Sequence, residues 1–189
     1  MEVRALLEAP ALRAPTADPD AALVAAARDE PQAFLALYDR YFDRVLGYVR
    51  LRIRDDFICE DVASTVFTTA LAQLGRFRGD GTFAGWLFQI ARNAVRDVQR
   101  RPAATHLPRD AASFEPDVEE RFLAFERAAH LHTQIRLLTP RQQHLLGLRY
   151  GAGLAFDEIG AIVGTTPGTA RVRVHRILED LRRRYSDDD

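Results

Sequence analysis

Residues Phe156–Ile177 read FDEIGAIVGTTPGTARVRVHRI, and their punctuation decides the fold. Phe156, Ile159 and Val163 recur at helical spacing and make the apolar stripe of a short helix. Gly164 ends that helix, Thr166 caps the next and Pro167 opens it. Ala170, Val174, Ile177 and Leu181 form the inward face of the second helix. Helix, glycine turn, helix is the helix-turn-helix pattern, and Gly160 falls where the crossing needs a small residue. The outward face carries Gly168, Thr169, Val172, His175 and Arg176, with Arg171 and Arg173 on its flanks. Such a helix fits a DNA major groove, its N-terminal residues reaching base edges and its arginines reaching phosphate or guanine. The competing reading is an ordinary amphipathic pair with a solvated arginine face.

Working outward, TPRQQHLL opens another helix, with Thr139 as N-cap and Pro140 in the first turn. Helical patterning begins again at about Glu119, so residues 119–186 form one small helical unit. Residues 102–118, PAATHLPRDAASFEPDV, hold three prolines, mixed charge and no periodicity, and are expected to be a flexible linker. A second helical unit is expected over residues 20–101. One of its helices carries Cys59, Val62, Ala63, Val66, Phe67, Ala70 and Leu74 inward. Another runs from about Phe83 to Gln99, with Phe83, Leu87, Ile90, Ala91, Ala94 and Val98 inward, and stops before Pro102. Residues 1–19 read as a disordered or lightly docked tail. The fold expected is all-α: two small helical bundles joined by a linker.

The charge pattern separates the same units. Net charge is −1 over 189 residues, which says little until it is divided. Residues 76–101 hold six Arg against two Asp, and residues 141–185 hold eight Arg against four acids. Residues 110–126 hold six acids against one Arg. Every one of the 26 basic residues is Arg, which coding bias explains more safely than chemistry. A single cysteine, Cys59, excludes an intrachain disulfide. No run is long and apolar enough to span a membrane, no signal peptide is evident, and a cytoplasmic location is expected. The five histidines make no metal set, and no nucleophile–base constellation appears, so no cofactor and no catalytic role are expected.

The stretch FRGDGTFAGWLFQIARN, Phe77–Asn93, suits a different nucleic-acid form. A glycine-rich loop leads into a helix whose second face holds Trp86, Asn93, Asp97 and Arg100, with Gln89, Arg92 and Arg96 beside it. Rings stack unpaired bases and arginines follow a single-stranded backbone. Glycines let a backbone approach a flipped base. Trp86 has an equally ordinary reading as a core residue.

CEDVASTVFTTAL, FRGDGTFAGWLFQIARNAVRDVQRR and LTPRQQHLLGLRY…FDEIGAIVGTTPGTARVRVHR together resemble bacterial RNA polymerase sigma factors of the extracytoplasmic-function group. The resemblance covers roughly residues 20–101 and 119–185. It implies a dissociable promoter-specificity subunit. Glu60, Asp61, Ser64, Thr65 and Thr68 would dock on the β′ coiled-coil, and the C-terminal bundle would meet the β flap. The loop residues Arg76, Phe77, Arg78, Gly79 and Asp80 would hold the opened minus-ten element, with Trp86, Arg92, Asn93, Arg96 and Arg100. Thr166, Gly168, Thr169, Arg171, Val172, Arg173, His175 and Arg176 would read the minus-thirty-five duplex. An anti-sigma factor is the further partner implied. The acidic linker is either a spacer or a nucleic-acid mimic in the RNA exit channel.

Four positions depart from the family pattern. Ser64-Thr65 stands where a Gln-Glu pair is usual, Ala155 replaces an N-cap serine, and Val172 replaces a small hydroxyl residue. Two alternatives follow: a helix-turn-helix regulator acting without polymerase, and a degenerate sigma-like decoy that binds a protein partner.

Overall fold

The computed structural model describes residues 18–100 and 130–187, with side chains as far as Arg184. Residues 1–17 of the expected tail, the expected linker and residues 119–129 lie outside these. Among the described residues there is no strand. Helix α1 (Ala21–Asp29) leads through a 3₁₀ turn (Pro31–Ala33) into α2 (Phe34–Arg50). Helix α3 (Asp56–Gln73) ends in a second 3₁₀ turn (Leu74–Arg76) before α4 (Phe83–Arg100). Then follow α5 (residues 130–136), α6 (Pro140–Leu146), a π-helical turn (Gly147–Gly151), α7 (Phe156–Val163) and α8 (Pro167–Asp187).

The helical pattern that runs on from Asp20 is broken at Glu30, which is extended (φ −127°, ψ 106°) because Pro31 follows it. Asp55 caps α3, its side chain accepting from the Ile58 N–H at 3.1 Å. Every residue expected on the inner face of α3 is buried. Asp18 Oδ2 accepts from the Phe83 N–H at 2.8 Å, so the segment before α1 satisfies the start of α4. Asp20 is fully buried and accepts from Arg40 and, at 2.5 Å, from the Tyr41 hydroxyl. Burial, then that carboxylate, holds the Tyr41 hydroxyl firmly protonated.

Helix α4 is buried over a wider arc than its sequence stripe. Phe88 and Val95 are fully buried, while Ile90, Ala94 and Val98 are half-buried. The reason is that α2, α3 and α7 all cover it, and Phe88 meets the Tyr48 ring at 5.4 Å.

In the C-terminal bundle Thr139 makes a full capping box. Its Oγ1 accepts from Gln142 N at 3.4 Å while its N–H donates to Gln142 Oε1 at 2.9 Å. Ala155 has no side-chain acceptor, so only the reciprocal half of a box survives there, Ala155 N–H donating to Glu158 Oε2 at 2.8 Å. Gly164 closes α7 with φ +68°, and a Cβ on Gly160 would lie 2.8 Å from the Thr165 carbonyl. The inward face expected of α8, Ala170, Val174, Ile177 and Leu181, is buried throughout.

The two bundles pack on each other and share one hydrophobic core, which the sequence patterns do not announce. Helix α2 lies against the π-helical turn, and α4 against α7. Gly47 and Gly151 let the backbones touch: a Cβ on Gly151 would lie 2.5 Å from the Gly47 carbonyl oxygen and 2.7 Å from Tyr48 Cα. Beside them, Arg52 Nη1 donates to the Tyr48 hydroxyl at 2.7 Å, and that hydroxyl lies 2.8 Å from His144 Nδ1. The hydroxyl accepts from Arg52 and has its own proton to donate to His144 Nδ1, an arrangement that fits a neutral imidazole protonated on Nε2. Burial, then the Arg52 and Arg92 charges, pushes His144 down to about 3, in keeping with that state. Arg44 Nη1 bonds Glu158 Oε1 across the same seam at 3.1 Å.

Candidate nucleic-acid and polymerase interface

Glu60, Asp61, Ser64, Thr65 and Thr68 are all exposed along one face of α3, opposite its buried face. Thr68 Oγ1 donates back to the Ser64 carbonyl at 2.9 Å, which leaves that hydroxyl committed to its own helix. Sequence reasoning missed two neighbours on this face: Phe57 is 68 % exposed and Leu71 is 44 % exposed. Their spacing from Asp61, Ser64 and Thr68 follows helical periodicity, so they were legible as apolar residues off the core stripe. Cys59, on the buried side, is pushed up to about 12 by burial and then by Asp56, so the thiol is inert.

The loop after α3 is held at its base rather than free. Phe77 is buried, its ring 6.2 Å from Phe83 and 5.3 Å from Trp86, and Arg28 donates to its carbonyl. Phe77 therefore anchors the loop and offers no free face to a base. Gly79 takes φ +77° at the tip, where a side chain is disfavoured. Trp86 is half-buried, packed against the core on one side and open on the other. Arg76, Arg78, Asp80 and Trp86 line a cavity of about 470 Å³ whose far wall is Ala161, Ile162 and Gly164 of the helix-turn-helix. Farther along α4, Asn93 and Arg100 are exposed and Arg96 is half-buried; Gln89 donates to Asn93 at 3.4 Å, and Arg100 lies 3.9 Å from Asp97. Arg92 is set apart from them and lines a second cavity with Arg173.

On α8, Thr166 caps the helix through a bond from Thr169 N at 3.2 Å. Gly168, Arg171, Val172, Arg173, His175 and Arg176 are exposed and Thr169 is half-buried. Val172 is 50 % exposed in the middle of this face. Arg171 lies 5.2 Å over the Phe156 ring and His175 pairs with Glu179 at 3.4 Å. Arg173 and Arg176 have no such partner among the described residues and make the rest of the face basic.

The chain folds as two helical bundles, with an exposed polar face on α3 and an exposed basic face on α8. The family models for sigma-70 region 2 and sigma-70 region 4 match residues 37–105 and 135–183. The chain is 34% identical to the ECF RNA polymerase sigma factor BldN of Streptomyces coelicolor, over 93% of this chain and 71% of that one. It is 34% identical to the RNA polymerase sigma factor CarQ of Myxococcus xanthus, over 82% of this chain and 91% of that one. Among solved structures, CnrH in complex with the cytosolic domain of CnrY shares the fold, with a TM-score of 0.65 at 22% identity, covering 91% of this chain and all of that one. The chain belongs to the sigma-70 family, in its extracytoplasmic-function group, and is a promoter-specificity subunit of RNA polymerase. Because both bundles match, a helix-turn-helix regulator acting alone is not favoured, nor is a decoy. No helix among the described residues is long and apolar enough to cross a membrane.

Proposed function

We propose that α3 docks on the β′ coiled-coil of core polymerase through Glu60, Asp61, Ser64, Thr65 and Thr68, helped by Phe57 and Leu71. The observation that carries this is the full exposure of that polar face, edged by two exposed apolar side chains, on a helix otherwise buried. Helix α8 reads the minus-thirty-five duplex, and its bundle meets the β flap. Arg76, Arg78, Gly79 and Asp80 of the loop, with Trp86, Asn93 and the arginines of α4, hold the opened minus-ten strand. Base capture there offsets an unstacking cost of roughly a few kcal/mol.

The packed arrangement is the resting form. The base-capturing loop faces α7, and Arg92 and Arg173, one from each DNA-reading set, face a common cavity. Reading two promoter elements at once requires the bundles to separate. An anti-sigma factor holding the bundles is the natural inhibitor; CnrH, of the same fold, was solved with the cytosolic domain of CnrY bound.

Transcription in vitro on pooled upstream fragments, with and without this chain added to core polymerase, tests the reading. New transcripts sharing two spaced upstream motifs are expected. Absence of transcripts together with absence of core binding would overturn it.

A further inference from the structure

Between the bundles lies a cavity of about 380 Å³. Three helices each contribute an arginine to its lining: Arg92 from α4, Arg141 from α6 and Arg173 from α8. Gln89 and His144 complete its polar wall, Leu145, Ile162 and Val163 supply the apolar part, and among the described residues no carboxylate lines it. None of the three arginines has a hydrogen bond or ion pair with another described residue. Arg92 Nε is buried without any hydrogen-bond partner, and so is Nε of Arg52, which acts electrostatically on His144 together with Arg92. His144 is neutral and offers no counter-charge. Elsewhere on the seam cations are answered, as Arg44 is by Glu158. Here several cations meet with no carboxylate opposite them among the described residues.

Like charges converging on a partly desolvated space repel, and a buried donor left unpaired costs stability. Guanidinium forks match the paired oxygens of phosphate, and an anion placed among them makes charge-assisted bonds to each. The volume falls within the range of small-molecule sites, roughly 300–1,000 Å³, and exceeds what one monovalent ion needs.

We propose that this cavity is a binding site for a compact, multiply charged phosphate anion, the diphosphate group of a small molecule, held by Arg92, Arg141 and Arg173 with Gln89 and His144. Such a ligand bridges the two bundles, so it stabilises their packed arrangement. Because it also engages Arg92 and Arg173, it competes with promoter DNA. The binding itself does not depend on the polymerase reading and fails or stands separately from it.

Inorganic pyrophosphate titrated calorimetrically into the full chain at low ionic strength is the test. One site per chain is expected, weakened by added salt, with a rise in the unfolding temperature as it fills. Arg141 is exposed and outside both DNA-reading sets, so Arg141→Gln should fold and should weaken binding about tenfold or more. Arg50→Gln, on the far end of α2, should leave binding unchanged. Absence of binding, or equal binding by Arg141→Gln, would overturn the proposal, the second result marking adventitious contact with surface arginines. A short single-stranded oligonucleotide forms the other arm. If it binds in an Arg141-dependent way while pyrophosphate does not, the cavity is a track for a nucleic-acid strand and the small-anion proposal fails.

Discussion

Gly151→Ala is the substitution that probes the seam most directly. The added methyl would lie 2.5 Å from the Gly47 carbonyl oxygen and 2.7 Å from Tyr48 Cα. Both are backbone atoms, so no rotamer change relieves the contact. Reaching an ordinary separation of about 3.5 Å requires α2 and the π-helical turn to part by about 1 Å. A gap of that size forfeits roughly a quarter to a half of the dispersion attraction across the interface. It also stretches the Tyr48–His144 bond, now 2.8 Å, between two buried groups. Overpacking costs about 1–3 kcal/mol and a strained buried hydrogen bond about 1 kcal/mol more, so a loss of about 2–4 kcal/mol is expected. For a chain of this size that lowers Tm by about 4–16 °C. Calorimetry with small-angle scattering reads both consequences, a lower Tm and a larger radius of gyration. Gly75→Ala is the control, because nothing lies within 4 Å of its Cβ. If Gly151→Ala matched the wild type in Tm and radius, the seam would not be the close-packed contact described, and the resting form would lose its basis.

The remaining expectations concern separate parts of the chain. Asp61→Arg reverses charge at the centre of the exposed α3 face and should abolish capture of core polymerase without changing Tm; retained capture would remove that face from the docking surface. Phe57→Ala should weaken the same capture while leaving the fold intact, since the ring touches water rather than core. His144 is held at about 3 when folded, against about 6.5 for a free histidine, so the unfolded chain takes up a proton first. Its contribution is complete above about pH 6.5 and is lost as pH falls toward 3, at about 1.4 kcal/mol per pH unit. Urea unfolding of wild type and His144→Gln between those limits should show the shallower pH slope in the variant; identical slopes would refute the neutral buried assignment. Thr139→Ala removes one half of a complete capping box and should cost about 0.5–2 kcal/mol in the same assay, with no loss counting against the cap.

Much of the architecture is readable from the chain alone. Periodicity assigned the inner faces of α3 and α8 residue by residue, because an amphipathic helix must turn its apolar positions to the same side whatever covers them. Gly164, Thr139 and Pro140 mark helix ends because their backbone preferences are local. The same locality places the polar face of α3 and the basic face of α8. Phe77 reads in the sequence as a ring beside a glycine loop, and only packing against Phe83 and Trp86 turns it inward. Phe57 and Leu71 were passed over for the opposite reason, as apolar residues that the fold leaves uncovered.

The seam between the bundles was decided by tertiary structure alone. Gly47 and Gly151, Tyr48 and His144, Arg44 and Glu158 are about a hundred residues apart, and no pattern in either segment names its partner. Glycine at a close approach looks like any helix glycine until the second backbone arrives. Arg92 and Arg173 likewise belong, in the sequence, to two separate DNA-reading faces, and nothing there joins Arg141 to either. Their meeting around one space follows from how the helices cross, because Coulomb interaction and steric fit depend on distance in space rather than along the chain.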